Sequence, residues 1–570
     1  MKVELRGDEL VLVGGDRTRR LRLASELRSR LGNVVRVRPG GYGIPVAAAG
    51  VLASLSGEDL EWADEASTIG REQIDRRERH LAAWSEVAEA IADPDAAMAE
   101  IALGLELDRH QKEAAAAIAT PSSQGLALFD EQGTGKTISC LAGFALLRAR
   151  GLVERALVVA PKSVLGSWEV DGRRVLGSDA QIVTLKGGAA QRRAAARGRH
   201  DLLLANYEAV VSDLTTLEMV FRAKPERYLL IVDESYFAKN PDARRSEALA
   251  TLRRHCRRAV VLCGTPAPNA PWDLVNQVNL ADGGLTFGPL RVPRDQDEAR
   301  ARVVEGLGSA LYLRRLKSQV LDLPAQDFYR VSVPMQPRQR ALYERAAREL
   351  ALEVRSVTDE VFRRGLAHYL ARRQVLLRLC SQPASVEPLY AETPAKLLAL
   401  DAILGDVVES KGEKAVVWCW FRSAIDAVAG RYERYGVARI DGSVADAGVR
   451  TAAIERFQFD PATRLFVGNA AAAGAGITLT AARTAVYESF SNQAAHYMQS
   501  LDRIHRRGQS RGVSYFVLVC EDTIEEGEYE RLIDKQRDAR QLLGDPDVEA
   551  PSRTVFLADI ERGVHLGSAD

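Results

Sequence analysis

No run of apolar residues in this 570-residue sequence is long enough to span a bilayer, which excludes a chain built around membrane helices. The opening MKVELRGDELVLVGG alternates charged and aliphatic residues and lacks a basic head followed by an apolar stretch, so it does not read as a signal peptide. Cysteine is scarce and scattered: Cys140, Cys256, Cys263, Cys380, Cys419 and Cys520 form no C-x-x-C pair. That spacing argues against zinc and for a reduced compartment, so the expected location is cytoplasmic, nucleoid-associated in a bacterial or phage-encoded protein. Net charge is also absent, with 77 basic against 77 acidic side chains. The balance gives no global sign of nucleic-acid binding, although a local basic groove is enough to neutralise phosphates. Lysine is rare beside arginine and alanine is abundant, a bias read as genomic coding, so arginine runs carry little weight alone. Internal repeats and low-complexity segments are missing too.

What is present is a twofold alternation of short aliphatic runs with helical stretches. GLALFDE, RALVVAPKS, DLLLANY, YLLIVDES and AVVLCGTP form one block; KAVVWCWF, GVARIDG, TRLFVGNA, TAVYESF and VSYFVLVC form another. Each block predicts a parallel sheet covered by helices. The fold class is therefore α/β: two parallel-sheet domains in tandem with helical insertions and a small α+β N-terminal domain. The expected boundaries are an accessory piece of unknown role at 1–100 and a first α/β domain at 101–280. A helical insertion and linker follows at 281–393, then a second α/β domain at 394–545 and a tail at 546–570.

The stretch FDEQGTGKT, Phe129 to Thr137, ends like a phosphate-binding loop, but Asp130 stands where G-x-x-x-x-G-K-[ST] has its first glycine. Binding a triphosphate needs converging backbone N–H groups, a cation and a hydroxyl for Mg2+. Gly133, Thr134 and Gly135 shape the loop, Lys136 supplies the cation, and Thr137 supplies the hydroxyl at a helix start. The matching acids are in LLIVDES, where Asp233 would hold the metal through water and Glu234 would orient and deprotonate the attacking water. An N-cap after the strand is the competing reading of that pair.

These residues resemble a family. FDEQGTGKT, APKSVLGSWEVD, LANYE, VDESYFAKN and CGTPAPN look like the ordered motifs of the first RecA-like domain of superfamily 2 helicases, and an acidic pair before the glycines is what Swi/Snf-type members show. YMQSLDRIHRRGQSRGV resembles the Swi/Snf-type Q-x-x-x-R-x-H-R-x-G-Q motif through Gln499, Arg503, His505, Arg506, Gly508 and Gln509. LYLRRLKSQVLDLP is similar to the L-R-R-x-K run that introduces the second domain, and RLCSQP to its helical sequel. AAAGAGITLTAA, with Gly476, looks like the glycine loop that senses nucleotide and nucleic acid. The likeness extends over roughly residues 105 to 540.

The resemblance implies a DNA-dependent ATPase with ATP and Mg2+ as cofactors. It makes Arg503 and Arg506 arginine fingers, three apart on one helix face, that act on the γ-phosphate when the domains close. It places Gln111, in LDRHQKEAAAAI, on the adenine edge. It also implies ATP-driven movement along double-stranded DNA. Lys162, Ser163, Thr265, Asn269 and Arg422, at strand ends, suit phosphate contacts, whereas Trp168 reads as core. The sequence departs from the family at Ser235-Tyr236, where D-E-A-H is usual, and at YESFSNQAAHY, where W-N-P is usual. Two alternatives stay open: an RNA- or single-strand-directed helicase, and an ATP-switched interaction protein in a larger complex. No histone-reader, nuclease or zinc module is visible, so the N-terminal piece or a targeting subunit would select the substrate.

Overall fold

The computed structural model describes residues 1–7, 9–31, 35–49, 52, 60–223, 227–264, 266, 272–288, 296–444, 446–470, 477–490, 494–541 and 560. The chain divides into two compact units, Met1–Val320 and Leu321–Asp570. The first contains a five-stranded and a seven-stranded sheet, the second a six-stranded sheet.

The N-terminal sheet consists of β1 (Lys2–Arg6), β2 (Glu9–Val13), β3 (Arg36–Arg38), β4 (Gly41–Pro45) and β5 (Glu61–Trp62) in the order β3-β4-β2-β1-β5. All pairs are antiparallel except β1 with β5. Alternation decides which face is buried: Val3, Leu10, Leu12 and Ile44 pack with Leu23 and Leu27 of the Arg17–Leu31 helix. Six arginines in that helix leave only a narrow apolar stripe for the sheet.

The second sheet is parallel throughout. It is formed by β6 (Gly125–Leu128), β7 (Arg155–Val159), β8 (Ile182–Thr184), β9 (Leu202–Ala205), β10 (Tyr228–Asp233), β11 (Arg258–Leu262) and β12 (Tyr312–Leu313), in the order β12-β6-β11-β10-β7-β9-β8. GLAL, LLLA and YLLIV are buried residue after residue, as expected of strands covered on both faces.

In the second unit, β13 (Gln326–Val333), β14 (Lys414–Trp418), β15 (Val437–Ile440), β16 (Leu465–Gly468), β17 (Ala482–Tyr487) and β18 (Val513–Cys520) form a parallel sheet in the order β13-β18-β17-β14-β16-β15. Alternation along β14 sends Val416 and Trp418 into one apolar cluster and Ala415 and Val417 into another, so both faces are core. The ten aliphatic runs of the sequence are ten of these strands. Three strands, β8, β12 and β13, are additional. Two of them divide the stretch read as a helical linker: β12 is an edge of the first unit's parallel sheet and β13 an edge of the second unit's. Between β13 and β14, the Pro337–Arg355 and Leu366–Ser381 helices pack through Tyr343, Ala347, Leu350, Leu376 and Leu379.

Among the described residues no helix is long and apolar enough to cross a membrane. All six cysteines are buried and unbridged.

Candidate nucleotide site

β6 delivers the glycine loop to the carboxyl edge of its sheet, where open α/β sheets bind ligands. Gly133 and Gly135 have φ of +84° and +87°, which lets the loop turn into the Lys136–Ala149 helix. A Cβ on Gly135 would lie 2.2 Å from Gln111 Nε2 and displace that side chain, and the positive φ strains any other residue there. The first-turn amides of the helix and its dipole face the loop's concave side, a fit for phosphate. Lys136 Nζ donates to the carbonyls of Asp130 at 2.9 Å and Glu131 at 3.2 Å. Thr134 Oγ1 donates to the Glu131 carbonyl at 2.9 Å, closing the loop on itself.

Asp233 ends β10 and Glu234 follows it. Asp233 Oδ2 accepts the Trp168 indole N–H at 2.8 Å, and Oδ1 accepts the Glu234 amide at 2.9 Å. Burial pushes this carboxyl above its ordinary value, while the indole bond, the Lys136 charge and the Glu234 amide oppose the shift. Lys136 is therefore near enough for its charge to act on Asp233. Glu234 has φ +49°, a left-handed conformation uncommon for a residue with a side chain, and its Oε1 accepts Gln132 Nε2 at 3.2 Å. Tyr207, from LANYE, donates its hydroxyl to the carbonyls of Asp233 at 2.7 Å and Glu234 at 3.2 Å. Ser235 is held by Gln277 at 2.6 Å, and Tyr236 stacks on Phe237.

Trp168 and Tyr207 are the residues that sequence reasoning missed. Trp168 is 1% exposed, as a core residue should be, yet its one polar atom is spent on the carboxylate assigned to the metal. A buried tryptophan needs an acceptor, and that requirement was the available signal.

Gln111 lies against the loop. Its Oε1 accepts the Asp108 amide at 3.0 Å and its Nε2 approaches the Thr134 carbonyl at 3.4 Å, leaving one Nε2 hydrogen for another acceptor. Lys162 and Ser163 are exposed just after β7, and Arg422 is exposed at the start of the Arg422–Arg431 helix after β14. Thr265, Asn269 and Gly476 lie outside the described residues.

In the second unit the Ala494–Leu501 helix holds buried Gln499 and ends before both arginines. The expectation that Arg503 and Arg506 share a helix face is thus corrected. His505 and Gln509 explain the early stop. His505 Nε2 donates to the Pro324 carbonyl at 2.8 Å, and Gln509 Nε2 reaches the carbonyls of Thr480, Ala482 and Ile504 at 3.0–3.2 Å. These bonds draw the chain out of helical register. The arginines still converge, both donating to the Ile477 carbonyl, at 3.5 and 3.4 Å.

A geometric cation candidate also occurs in the second unit, where ligand atoms of Cys380, Cys520 and Glu525 lie within 4.8 Å of one another. Lys396 Nζ, fully buried, already takes Glu525 Oε1 at 2.7 Å, so an ammonium neutralises this cluster.

The SNF2-related domain model matches residues 107–383 and the helicase conserved C-terminal domain model residues 395–508, together more than two-thirds of the chain. Similar curated proteins include the SWI/SNF-related matrix-associated actin-dependent regulator of chromatin subfamily A containing DEAD/H box 1 homolog of Drosophila melanogaster. It is 28% identical over 481 residues, covering 70% of this chain and 56% of that protein. The ISWI chromatin-remodeling complex ATPase ISW1 of Saccharomyces cerevisiae is 26% identical over 478 residues, covering 76% and 41%. The chain thus spans about half the length, or less, of the curated relatives it matches. A solved Sulfolobus solfataricus SWI2/SNF2 ATPase core in complex with dsDNA aligns over 82% of this chain and 98% of that chain, at 19% identity and a TM-score of 0.34. The cytoplasmic location expected from the sequence is overturned by the relatives, which are chromatin-remodelling and hence nuclear proteins.

Proposed function

Because this chain belongs to the SNF2-related family, whose domains are helicase-like ATPases, we propose that it is a DNA-dependent ATPase that uses turnover to move along double-stranded DNA. The observation that supports this reading best is the joint placement of Lys136, Asp233 and Glu234 at or beyond the carboxyl ends of β6 and β10, which flank β11 in the same sheet, each held by a separate polar contact. Lys136 leaves its two carbonyls for the β- and γ-phosphates, while the loop amides, including those of Gly133, Thr134 and Gly135, hold phosphate oxygens. Thr137 and Asp233 fit a magnesium ion, one by a hydroxyl at the helix start and the other by a carboxylate. Bound there, the ion would neutralise phosphate charge. Glu234 orients the attacking water and takes its proton, with Gln132 fixing the carboxylate. Gln111 turns its remaining amide hydrogen to the adenine edge. Arg503 and Arg506 are the cations assigned to charge that develops on the γ-phosphate, and Gln499 and Gly476 keep the nucleotide-binding role that the family resemblance gives them.

Lys162, Ser163, Thr265, Asn269 and Arg422 track DNA phosphates in this reading. Phosphate contacts position a protein without reading sequence, so base preference is slight. Selection of a target falls to residues 1–100 or to a targeting subunit. A motor that slides on duplex DNA displaces a triplex-forming third strand, and one without a strand-splitting wedge opens a plain fork poorly. Efficient fork unwinding with no triplex displacement, at equal ATP and protein concentrations, overturns the translocase reading.

A further inference from the structure

The residue that breaks the phosphate-loop pattern, Asp130, is held by three bonds to its side chain. Its side chain, 1% exposed, points at Arg315, 185 positions further along. Oδ1 accepts both the backbone amide and Nε of Arg315, each at 3.0 Å, and Oδ2 accepts Nη2 at 2.5 Å. The remaining Nη1 of Arg315 donates to the His110 carbonyl at 2.6 Å and to Glu113 at 3.0 Å. His110 in turn reaches the Thr134 carbonyl at 2.8 Å. A glycine at position 130, as the usual pattern demands, could make none of the side-chain bonds.

Arg315 belongs to a strap that runs beside the loop for seven residues. Ala127, Phe129 and Glu131 donate their amides to the carbonyls of Leu311, Leu313 and Arg315 at 2.8–3.0 Å, so the pairing of β12 with β6 continues past the strand end and into the loop. Arg314 donates to the Phe129 carbonyl and, at 2.9 Å, to that of Gly264; the Lys317 amide donates to Glu131 Oε2 at 2.8 Å. Asp130 and Glu131 are thus gripped through side chains and backbone alike. Their carbonyls are the two oxygens on which Lys136 rests.

We propose that Asp130 and Arg315 form a positioning clamp for Lys136, which fixes the height and direction of the two carbonyls and so the place from which the ammonium reaches phosphate. The clamp acts through Lys136 and touches no phosphate. A planar guanidinium suits it, since two parallel bonds to one carboxylate with a third to the His110 carbonyl need a rigid fork that a lysine cannot supply. Its donor is also the last segment of the first unit: residues 321 onward belong to the second, so the strap leads from the nucleotide loop directly into the chain that begins that unit.

The proposal rests on the nucleotide reading of the loop, and the test separates the two. ATP binding by the full chain, in magnesium buffer, is titrated calorimetrically for the parent, Arg315→Gln, Arg315→Lys, Lys136→Ala and Lys136→Ala with Arg315→Gln, below the melting temperature of each. The clamp predicts that Arg315→Gln weakens ATP binding about tenfold, that Arg315→Lys recovers only part of this, and that Arg315→Gln adds little once Lys136 is gone. Equal loss from Arg315→Gln in both backgrounds, or an unchanged Kd with a lowered melting temperature, overturns the clamp and leaves a merely structural ion pair. An unchanged Kd in Lys136→Ala overturns the nucleotide reading itself. Should Arg315→Gln not fold, the same comparison is made with Asp130→Asn, which keeps the shape of the carboxylate and removes its charge.

Discussion

Two ionic clusters, one in each unit, the first half-buried and the second fully buried, obey the same electrostatics and serve different ends. In the first unit Arg315 joins Asp130 and Glu113, and in the second Lys396 joins Glu525. Neither charge could be buried alone, and each is surrounded by oxygen: Arg315 by two carboxylates and a carbonyl, Lys396 by Glu525 and the Glu488 carbonyl at 2.7 Å each. Burial opposes the Lys396 charge, but Glu525 and its neighbours keep its pKa above the ordinary lysine value. The partners make the difference. Those of Arg315 include Asp130, a loop residue whose carbonyl holds Lys136, whereas those of Lys396 tie the Ala395–Leu404 helix to the ends of β17 and β18. A buried ion pair therefore reveals a role only through what its partners touch, and the first cluster belongs to the nucleotide site while the second belongs to the core.

The comparison is broken most severely at the loop itself. Lys136→Ala should lower ATP turnover by about a hundredfold or more, and Glu234→Gln should stop turnover to a similar degree while ATP affinity stays within a few-fold of the parent. Near-parental hydrolysis by Glu234→Gln would remove it from the role of base. Next in size is a change in stability alone. Lys396→Ala strands a buried carboxylate and should cost roughly 3–5 kcal/mol in urea unfolding, with ATP affinity unchanged below the transition. A lost affinity there would erase the contrast between the clusters. The smallest effect sharpens the site: Trp168→Phe keeps the ring and deletes the donor to Asp233. The magnesium concentration for half-maximal turnover should then rise several-fold, and an unchanged requirement would return Trp168 to the core.

Much of this architecture was legible from local pattern. Buried parallel strands are continuous aliphatic runs, and GLAL, LLLA and KAVVW announce themselves. β12 has only two residues, and β13, QDFYRVSV, is an edge strand with four consecutive exposed residues, so neither carries an apolar signature. At the candidate site, the glycine loop and the acid pair stood out because each is a short motif contiguous in sequence. The hold of Trp168 on Asp233 spans 65 positions and that of Arg315 on Asp130 spans 185, so no periodicity connects them. Asp130 could be noticed only as a missing glycine; what it does instead needed the strap beside it. The early end of the helix before Arg503 has the same origin, since the carbonyls that capture His505 and Gln509 come from other segments.

The central claim is that the loop of the first unit hydrolyses ATP in answer to duplex DNA. It is tested most directly by steady-state ATP turnover of the full chain, with double-stranded DNA, single-stranded DNA and RNA titrated separately at one salt concentration. The account predicts strong stimulation by duplex DNA of any sequence, little by the other two, and affinity that falls with salt at a log–log slope of about −0.9 for each phosphate neutralised. Turnover that is unaffected by duplex DNA, or that answers to RNA or single strands alone, would contradict it.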